Sequence, residues 1–290
     1  MSVARKIISL ACTKTGGATQ KVGTLFHMIG EVLRVFAWRL QEKGWKSAYI
    51  YLRCTFNARY VTYLNTHTKS TRVECPCCGW KGFDFIPLDG FSFWVPRNIC
   101  PNCLAYDRHR GFQIYVQRHD RHLLEMFGYL LNYAPESYLR NIICTNPKIT
   151  YVSSDLDPER LREPKGCTFM SDILHIPLPD NSVHAEVCFH LLEHLQDDRA
   201  GITELRRVLR PGGVVYIMVP INLRLTETEY FGRPHPEVFG HWWAPARDYV
   251  ERFRDFDCQE VEPKDYLTRE EAFRYGVPPQ EIIYRCVKKP

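Results

Sequence analysis

The sequence predicts an α/β fold with a doubly wound, mostly parallel sheet, preceded by a zinc ribbon and a helical N-terminal arm. Three observations carry this. From about Gln113 onward, apolar runs alternate with stretches of helical periodicity, the pattern of crossover units in a sheet covered on both faces. Upstream, two Cys-x-x-Cys pairs stand 21 residues apart. Ahead of them, residues 19–43 carry apolar side chains at helical spacing. The implied divisions are a basic helical region over 1–70, a zinc ribbon over 71–112 and an α/β domain over 113–290. At roughly 150 residues per domain, 290 residues agree with a chain of about two domains.

Val22, Leu25, Phe26, Ile29, Val32, Leu33, Phe36 and Leu40 form the arm's stripe, and Gly44 suits the position just past its end. A second helix is expected over Ser47–Asn65, rich in Tyr and Arg. Residues 1–74 hold 12 Lys/Arg against 3 Asp/Glu, whereas the remainder holds 26 against 30. A basic arm on a mildly acidic body fits an anionic partner: RNA, a phosphorylated substrate or a membrane surface. The other reading is a solvated helical surface.

Composition excludes several classes. With 45% hydrophobic and 24% charged residues, and Gly and Pro at 17 and 19, collagen-like and wholly disordered chains are ruled out. No apolar run reaches 18 residues, so no spanning helix is expected. The stretch Ile7–Cys12 is too short for a signal peptide. Twelve Cys without a secretion signal point to reduced thiols and metal ligands, hence to a cytoplasmic protein, with a peripheral membrane position left open.

In the Cys module, Cys75 and Cys78 form one knuckle and Cys100 and Cys103 the other. Four thiolates meeting at the corners of a tetrahedron are what Zn²⁺ prefers, and a full set of sulfurs leaves no open position, so the site is expected to be structural. Cys77 is a spare sulfur between two ligands. The following Tyr106–Arg110 segment either contacts phosphate or opens the next helix.

In the α/β part, apolar runs fall at Tyr129–Tyr133, Thr150–Ser154, Ala185–Phe189, Val214–Val219 and Glu281–Val287, and helical stretches at Glu136–Cys144, Asp197–Leu209 and Pro245–Arg254. Ligands bind such sheets at the carboxyl ends of strands, where the winding switches. Acids recur there. Asp155 ends one run, where a carboxylate can accept both hydroxyls of a ribose; Asp172, followed by Ile173, suits an adenine amino group and ring face.

The stretches Asp172-Ile-Leu-His-Ile-Pro-Leu-Pro-Asp-Asn-Ser-Val183, Ala185-Glu-Val-Cys-Phe-His-Leu-Leu-Glu193-His194-Leu195 and Glu204-Leu-Arg-Arg-Val-Leu-Arg-Pro211-Gly-Gly213 resemble the class I S-adenosylmethionine-dependent methyltransferases, type 11-like. Over about 127–290 the resemblance implies a Rossmann-like, seven-stranded sheet with its last strand, Ile282–Val287, antiparallel. It extends to a subgroup with an N-terminal zinc ribbon followed by Arg-His-Arg. It implies that Asp155 and the adjacent Leu156 border the ribose, that Asp172 and Ile173 bracket the adenine, and that Phe189 and His190 flank the methionine part of S-adenosylmethionine. The first-strand loop departs from the family's acid and glycines. Asn132 replaces the acid, Ala134 stands for the first Gly and Glu136 for the second, in an Ala-Pro-Glu turn that the subgroup shares. Glu136 is placed to meet the methionine amino group.

His190-Leu-Leu-Glu193-His194 also matches an inverted zinc-peptidase motif. That motif needs both His on one helical face, whereas His190 directly follows a strand-like run, so a metallopeptidase is disfavoured. The long Pro220–Trp243 segment, rich in aromatics and His, reads as a lid over the acceptor. His241, then His194, are candidates for a general base. The expected function is methyl transfer to an unidentified acceptor, a small molecule or glycan ahead of RNA. The alternatives are an RNA methyltransferase using the ribbon and basic arm, and a non-catalytic scaffold that has kept the fold.

Overall fold

The helical periodicity of residues 19–43 folds as α1 (Ala18–Glu42) in a computed structural model that describes residues 18–90, 93–135, 146–159 and 168–290, the side chains of residues 18–26 and 28 excepted. Gly44, at φ +78°, takes the left-handed turn that Gly adopts without strain and leads into α2 (Gly44–His67), which lies against α1. The expected stripe on α1 is not an inward face. Ile29, Leu33 and Leu40 are exposed, Val32 and Phe36 half-buried, and Val22, Leu25 and Phe26 lie outside the described side chains. Among the described side chains of α1 the buried one is Arg39, whose guanidinium forms a two-pronged ion pair with Asp89 at 2.6 and 3.0 Å. The apolar contact to the strands comes from α2 instead, through Ala58 and Val61 against Ile86 and Ile99.

Strands β1 (Val73–Glu74) and β2 (Lys81–Gly82) pair antiparallel, as do β3 (Ile86–Asp89) and β4 (Trp94–Ile99). Asn65 on α2 is fastened to this module by a three-way contact. Its side-chain oxygen accepts the Phe83 and Asp84 N–H groups (2.8 and 3.2 Å), and its amide donates to the Asp84 carbonyl (2.9 Å). Helices and Cys module thus belong to one compact unit, Met1–Tyr106; the second is Asp107–Pro290.

The second unit opens with α3 (Asp107–Arg118) and α4 (His122–Glu125). Its sheet contains β5 (Gly128–Tyr133), β6 (Ile149–Asp155), β7 (Phe169–Met170), β8 (Val183–Phe189) and β9 (Leu209–Met218). After a separate hairpin, β10 (Glu229–His235) with β11 (His241–Ala244), come β12 (Phe256–Val261) and β13 (Ile283–Lys288). The order is β12-β13-β9-β8-β5-β6-β7, and β13 alone runs antiparallel to its neighbours. This is the expected seven-stranded Rossmann-like methyltransferase fold.

The strands read as continuous apolar runs because both faces are covered. On β9, Val214, Tyr216 and Met218 join Phe112 of α3 on one side, while Val215 and Ile217 join Ile202 and Leu205 of α5 (Asp198–Val208) on the other. The Arg-Pro-Gly-Gly turn is a local excursion inside β9: Val183 pairs with Leu209 but Ala185 with Val214, and Gly212 takes φ +72°. Beyond β12 lie α6 (Pro263–Tyr266) and α7 (Arg269–Tyr275).

The five predicted runs correspond to β5, β6, β8, β9 and β13. The short β7 and the polar β12 were not anticipated. The stretch Asp197–Leu209 folds as α5, whose N-cap Asp197 accepts the Ala200 N–H at 2.9 Å. Pro245–Arg254 forms only the 3₁₀ segment Arg247–Phe253, and Glu136–Cys144 lies outside the described residues. The expectation of reduced thiols fails at one pair: Cys258 and Cys286 face each other across β12 and β13 and form a disulfide.

Candidate functional site

Parallel strands that share a direction bring their carboxyl ends to one edge, and the predicted cofactor residues that the structure describes lie there. Ala134 directly follows β5. Its N–H donates to the Ser154 carbonyl at 2.9 Å, and its φ of +45° is the left-handed backbone that favours Gly. Asn132, one turn of pleat earlier, is buried and donates to the Tyr151 hydroxyl at 2.9 Å. Asp155 is the last residue of β6; its carboxylate accepts the Asp157 N–H at 3.0 Å, and its carbonyl accepts the Ser171 N–H at 3.1 Å. Leu156 beside it is 65% exposed. Asp172 follows β7 and accepts the Leu174 N–H at 2.9 Å, whereas Ile173 is buried in the core. Glu136 lies outside the described residues.

Phe189 ends β8 and is buried edge-on against Phe112 at 4.9 Å between ring centroids. His190 follows with φ +50°, and its N–H donates to the Met218 carbonyl at 2.8 Å. The next turn, Leu192–His194, is 3₁₀ and not α-helical, which agrees with setting the peptidase motif aside. Glu193 in this turn is fully buried. His190 Nδ1 lies 3.5 Å from Glu193 Oε1, and His241 Nε2 lies 4.0 Å from it. The His194 and His241 rings meet edge-to-face at 4.6 Å. Burial and the Arg108 charge depress His190, but the carboxylates of Glu193 and Glu281 outweigh them and raise it to about 9. His241 is pushed down to about 4 by burial, against the attraction of Glu193 and with the help of His194 and His190. Burial raises Glu193, yet the neighbouring His190 prevails and holds it below its ordinary value.

The Pro220–Trp243 segment, expected as a long loop, carries the β10–β11 hairpin. Strand β11 packs on the Leu192–His194 turn, and the Trp243 indole N–H donates to the Leu195 carbonyl at 2.9 Å. Tyr230 packs against Trp243 with centroids 4.5 Å apart, and the Arg252 guanidinium lies 4.6 Å over the Trp243 ring. The structure therefore joins His241 to His194 across 47 residues of chain. The burial of Glu193 beside His190 and His241 was not anticipated; an acid directly after Leu191-Leu192 was the available signal.

In the first unit the sulfurs of Cys75, Cys78, Cys100 and Cys103 all lie within 4.8 Å of one another. Cys75 and Cys103 approach to 3.7 Å and Cys78 and Cys100 to 3.8 Å. A tetrahedral ZnS₄ centre with bonds of about 2.3 Å requires sulfurs about 3.8 Å apart, so the donor set fits that ion. The knuckles turn sharply: the Gly79 N–H donates to the Cys75 carbonyl (2.8 Å) and the Leu104 N–H to the Cys100 carbonyl (3.0 Å). The phosphate-contact reading of Tyr106–Arg110 does not hold for Arg110. It is fully buried and donates to the Tyr275 and Gly276 carbonyls at 2.6 and 2.9 Å.

Residues 128–217 match the family described as methyltransferase domain. A protein of Mycolicibacterium smegmatis named "Probable S-adenosylmethionine-dependent methyltransferase" is 41% identical over 61 residues, which are 21% of this chain and 24% of that one. An ajmaline N-methyltransferase of Rauvolfia serpentina is 23% identical over 129 residues, 42% of this chain and 44% of that one. The chain thus spans less than half of the length of these curated relatives. The crystal structure of an S-adenosylmethionine-dependent methyltransferase from Archaeoglobus fulgidus is 13% identical, with a TM-score of 0.44, covering 62% of this chain and 94% of that one. The part of the chain that matches the methyltransferase domain is thus the stretch from β5 to β9.

Proposed function

We propose that the chain is an S-adenosylmethionine-dependent methyltransferase whose Cys75, Cys78, Cys100 and Cys103 hold a structural Zn²⁺. The observation that carries this reading is the meeting of Ala134, Asp155, Asp172 and His190 at one carboxyl edge of a sheet that matches the methyltransferase domain. The donor chemistry fits the cofactor. Asp155 at the tip of β6 is a carboxylate for the ribose diol, with Leu156 beside it as apolar cover. Asp172 accepts from the adenine amino group. Ala134 brings backbone close because its left-handed φ reproduces a glycine's path. Glu136 takes the methionine amino group, and Phe189 with His190 closes that end.

When bound, S-adenosylmethionine supplies a methyl group on a sulfonium. The chain's own contribution is to hold an acceptor in line with that group and to keep water away, with Trp242 and Trp243 on the hairpin forming an apolar wall. The acceptor is a small molecule or glycan in preference to RNA, because the part of the chain from residue 75 onward is net acidic. RNA binding by the basic arm would show as a steep fall of log affinity with log salt. A flat response would leave the arm without that role.

Calorimetry with S-adenosylmethionine on the wild type and on Asp155→Ala tests the reading. A 1:1 heat that weakens about tenfold or more in the variant supports it, since a charged group's hydrogen bonds are worth about 1.5–3 kcal/mol. A folded, zinc-loaded wild type that gives no heat would overturn it in favour of a scaffold.

A further inference from the structure

Glu193 is an anomaly that cofactor binding does not explain. It is 0% exposed, and neither carboxylate oxygen accepts a hydrogen bond among the described residues. A buried carboxylate is costly unless positive charge stands close to it; the His190 ring supplies some at 3.5 Å, without a hydrogen bond that satisfies either oxygen. Its surroundings are imidazoles. His241 Nε2 is 4.0 Å away, and one donor atom from each of Glu193, His194 and His241 lies within 4.8 Å of the other two.

We propose that Glu193, His194 and His241 form a second metal site, separate from the four sulfurs, that takes one divalent transition ion. Two imidazole nitrogens and a carboxylate oxygen suit Zn²⁺, Mn²⁺, Fe²⁺ or Co²⁺, whereas the sulfur set selects softer ions. Inward movements of about an ångström would bring the three donors to bonding distances of about 2.0–2.2 Å. The tether of Trp243 to Leu195 already holds β11 against the turn that carries Glu193 and His194. His190, 3.5 Å from Glu193 through Nδ1 and 3.9 Å from Glu281 through Nε2, flanks the site. Three protein ligands leave coordination positions for a further oxygen or nitrogen, as in catalytic and not structural sites. Because the site borders the end of β8, that further ligand is an oxygen or nitrogen of the methyl acceptor. This last assignment rests on the methyltransferase reading; the metal binding does not. His194 and His241 then act as ligands and not as proton acceptors.

The test counts metal. Full-length protein saturated with zinc and freed of loose ions by gel filtration should carry two zinc ions per chain by elemental analysis. His241→Ala and Glu193→Gln should each carry one. As a second probe, Mn²⁺ added to protein that carries a single equivalent of zinc, enough to fill the four sulfurs only, and followed by electron paramagnetic resonance should bind once per chain, and at least tenfold more weakly in either variant. Mn²⁺ has little affinity for the sulfur set. His241→Gln, which keeps the bulk of the ring in the hairpin, serves if the alanine variant does not fold. One zinc in the wild type, or two that neither variant reduces, overturns the proposal. S-adenosylmethionine calorimetry on the same samples separates the two readings. A cofactor heat with only one zinc sinks the second site alone, and two zincs without a cofactor heat sink the methyltransferase reading alone.

Discussion

Leu104 occupies, after Cys103, the place that Gly79 occupies after Cys78, and both take a left-handed backbone, at φ +63° and +72°. The two knuckles therefore have the same turn built once with the residue that favours it and once with one that does not. Leu104 remains because its side chain is half-buried against the small cluster around Ile86 and Ile99. A Cβ on Gly79 would meet nothing within 4 Å, so Gly79→Ala carries only the conformational cost, about 1–2 kcal/mol. The expected outcome is zinc release to a competing chelator about fivefold or more faster than in the wild type, with the second unit's melting unchanged.

Arg110 spends its charge at the end of a helix. Its donors satisfy the Tyr275 and Gly276 carbonyls, where α7 ends in the left-handed Gly276. Arg110→Met keeps much of the volume but strands those carbonyls. We expect a loss of about 3 kcal/mol, read as a lower midpoint in urea denaturation of the second unit.

Asp120 sets an acid limit on stability. Burial would raise its carboxyl, but hydrogen bonds from the Tyr216 hydroxyl (2.7 Å), the His122 N–H (3.0 Å) and Arg285 Nε (2.6 Å) win and hold it below the usual carboxylate range. A group whose folded pKa is depressed contributes stability above its unfolded value, about 3.9, and loses it as pH falls through the folded value. Thermal melts from pH 6 down to pH 2 should show this loss, and Asp120→Asn should be less stable near pH 6 but flatter below pH 4.

Ala134 tests whether the first-strand loop tolerates the lack of a glycine. Ala134→Gly should leave S-adenosylmethionine affinity within about threefold and raise stability slightly, as a residue at φ +45° is relieved of about 1 kcal/mol of strain. A β-branched Ala134→Val should do the reverse, with weaker cofactor binding by calorimetry and a lower melting temperature.

The strands were legible where both faces are covered, because burial imposes a run of apolar residues such as Val214–Val219 that no loop needs. The Cys module was legible because two Cys-x-x-Cys turns are enough to bring four sulfurs within 4.8 Å of one another. Asp155 and Asp172 could be placed because strand direction alone carries them to one edge. Three features were not legible. The outward turn of Ile29, Leu33 and Leu40 depends on which side of α2 the strands occupy. The meeting of Glu193 with His241 depends on a hairpin that docks 47 residues later. The choice between phosphate contact and helix opening for Tyr106–Arg110 stayed open because local sequence does not reveal that helix α7 ends beside Arg110.

The single amide of Asn65 that binds α2 to the segment after β2 makes the first unit behave as a clasp instead of two beads on a string. Chelation that loosens the knuckles would withdraw the seat on which the C-terminal turn of α2 rests, so part of the far-ultraviolet helical signal should vanish together with the metal.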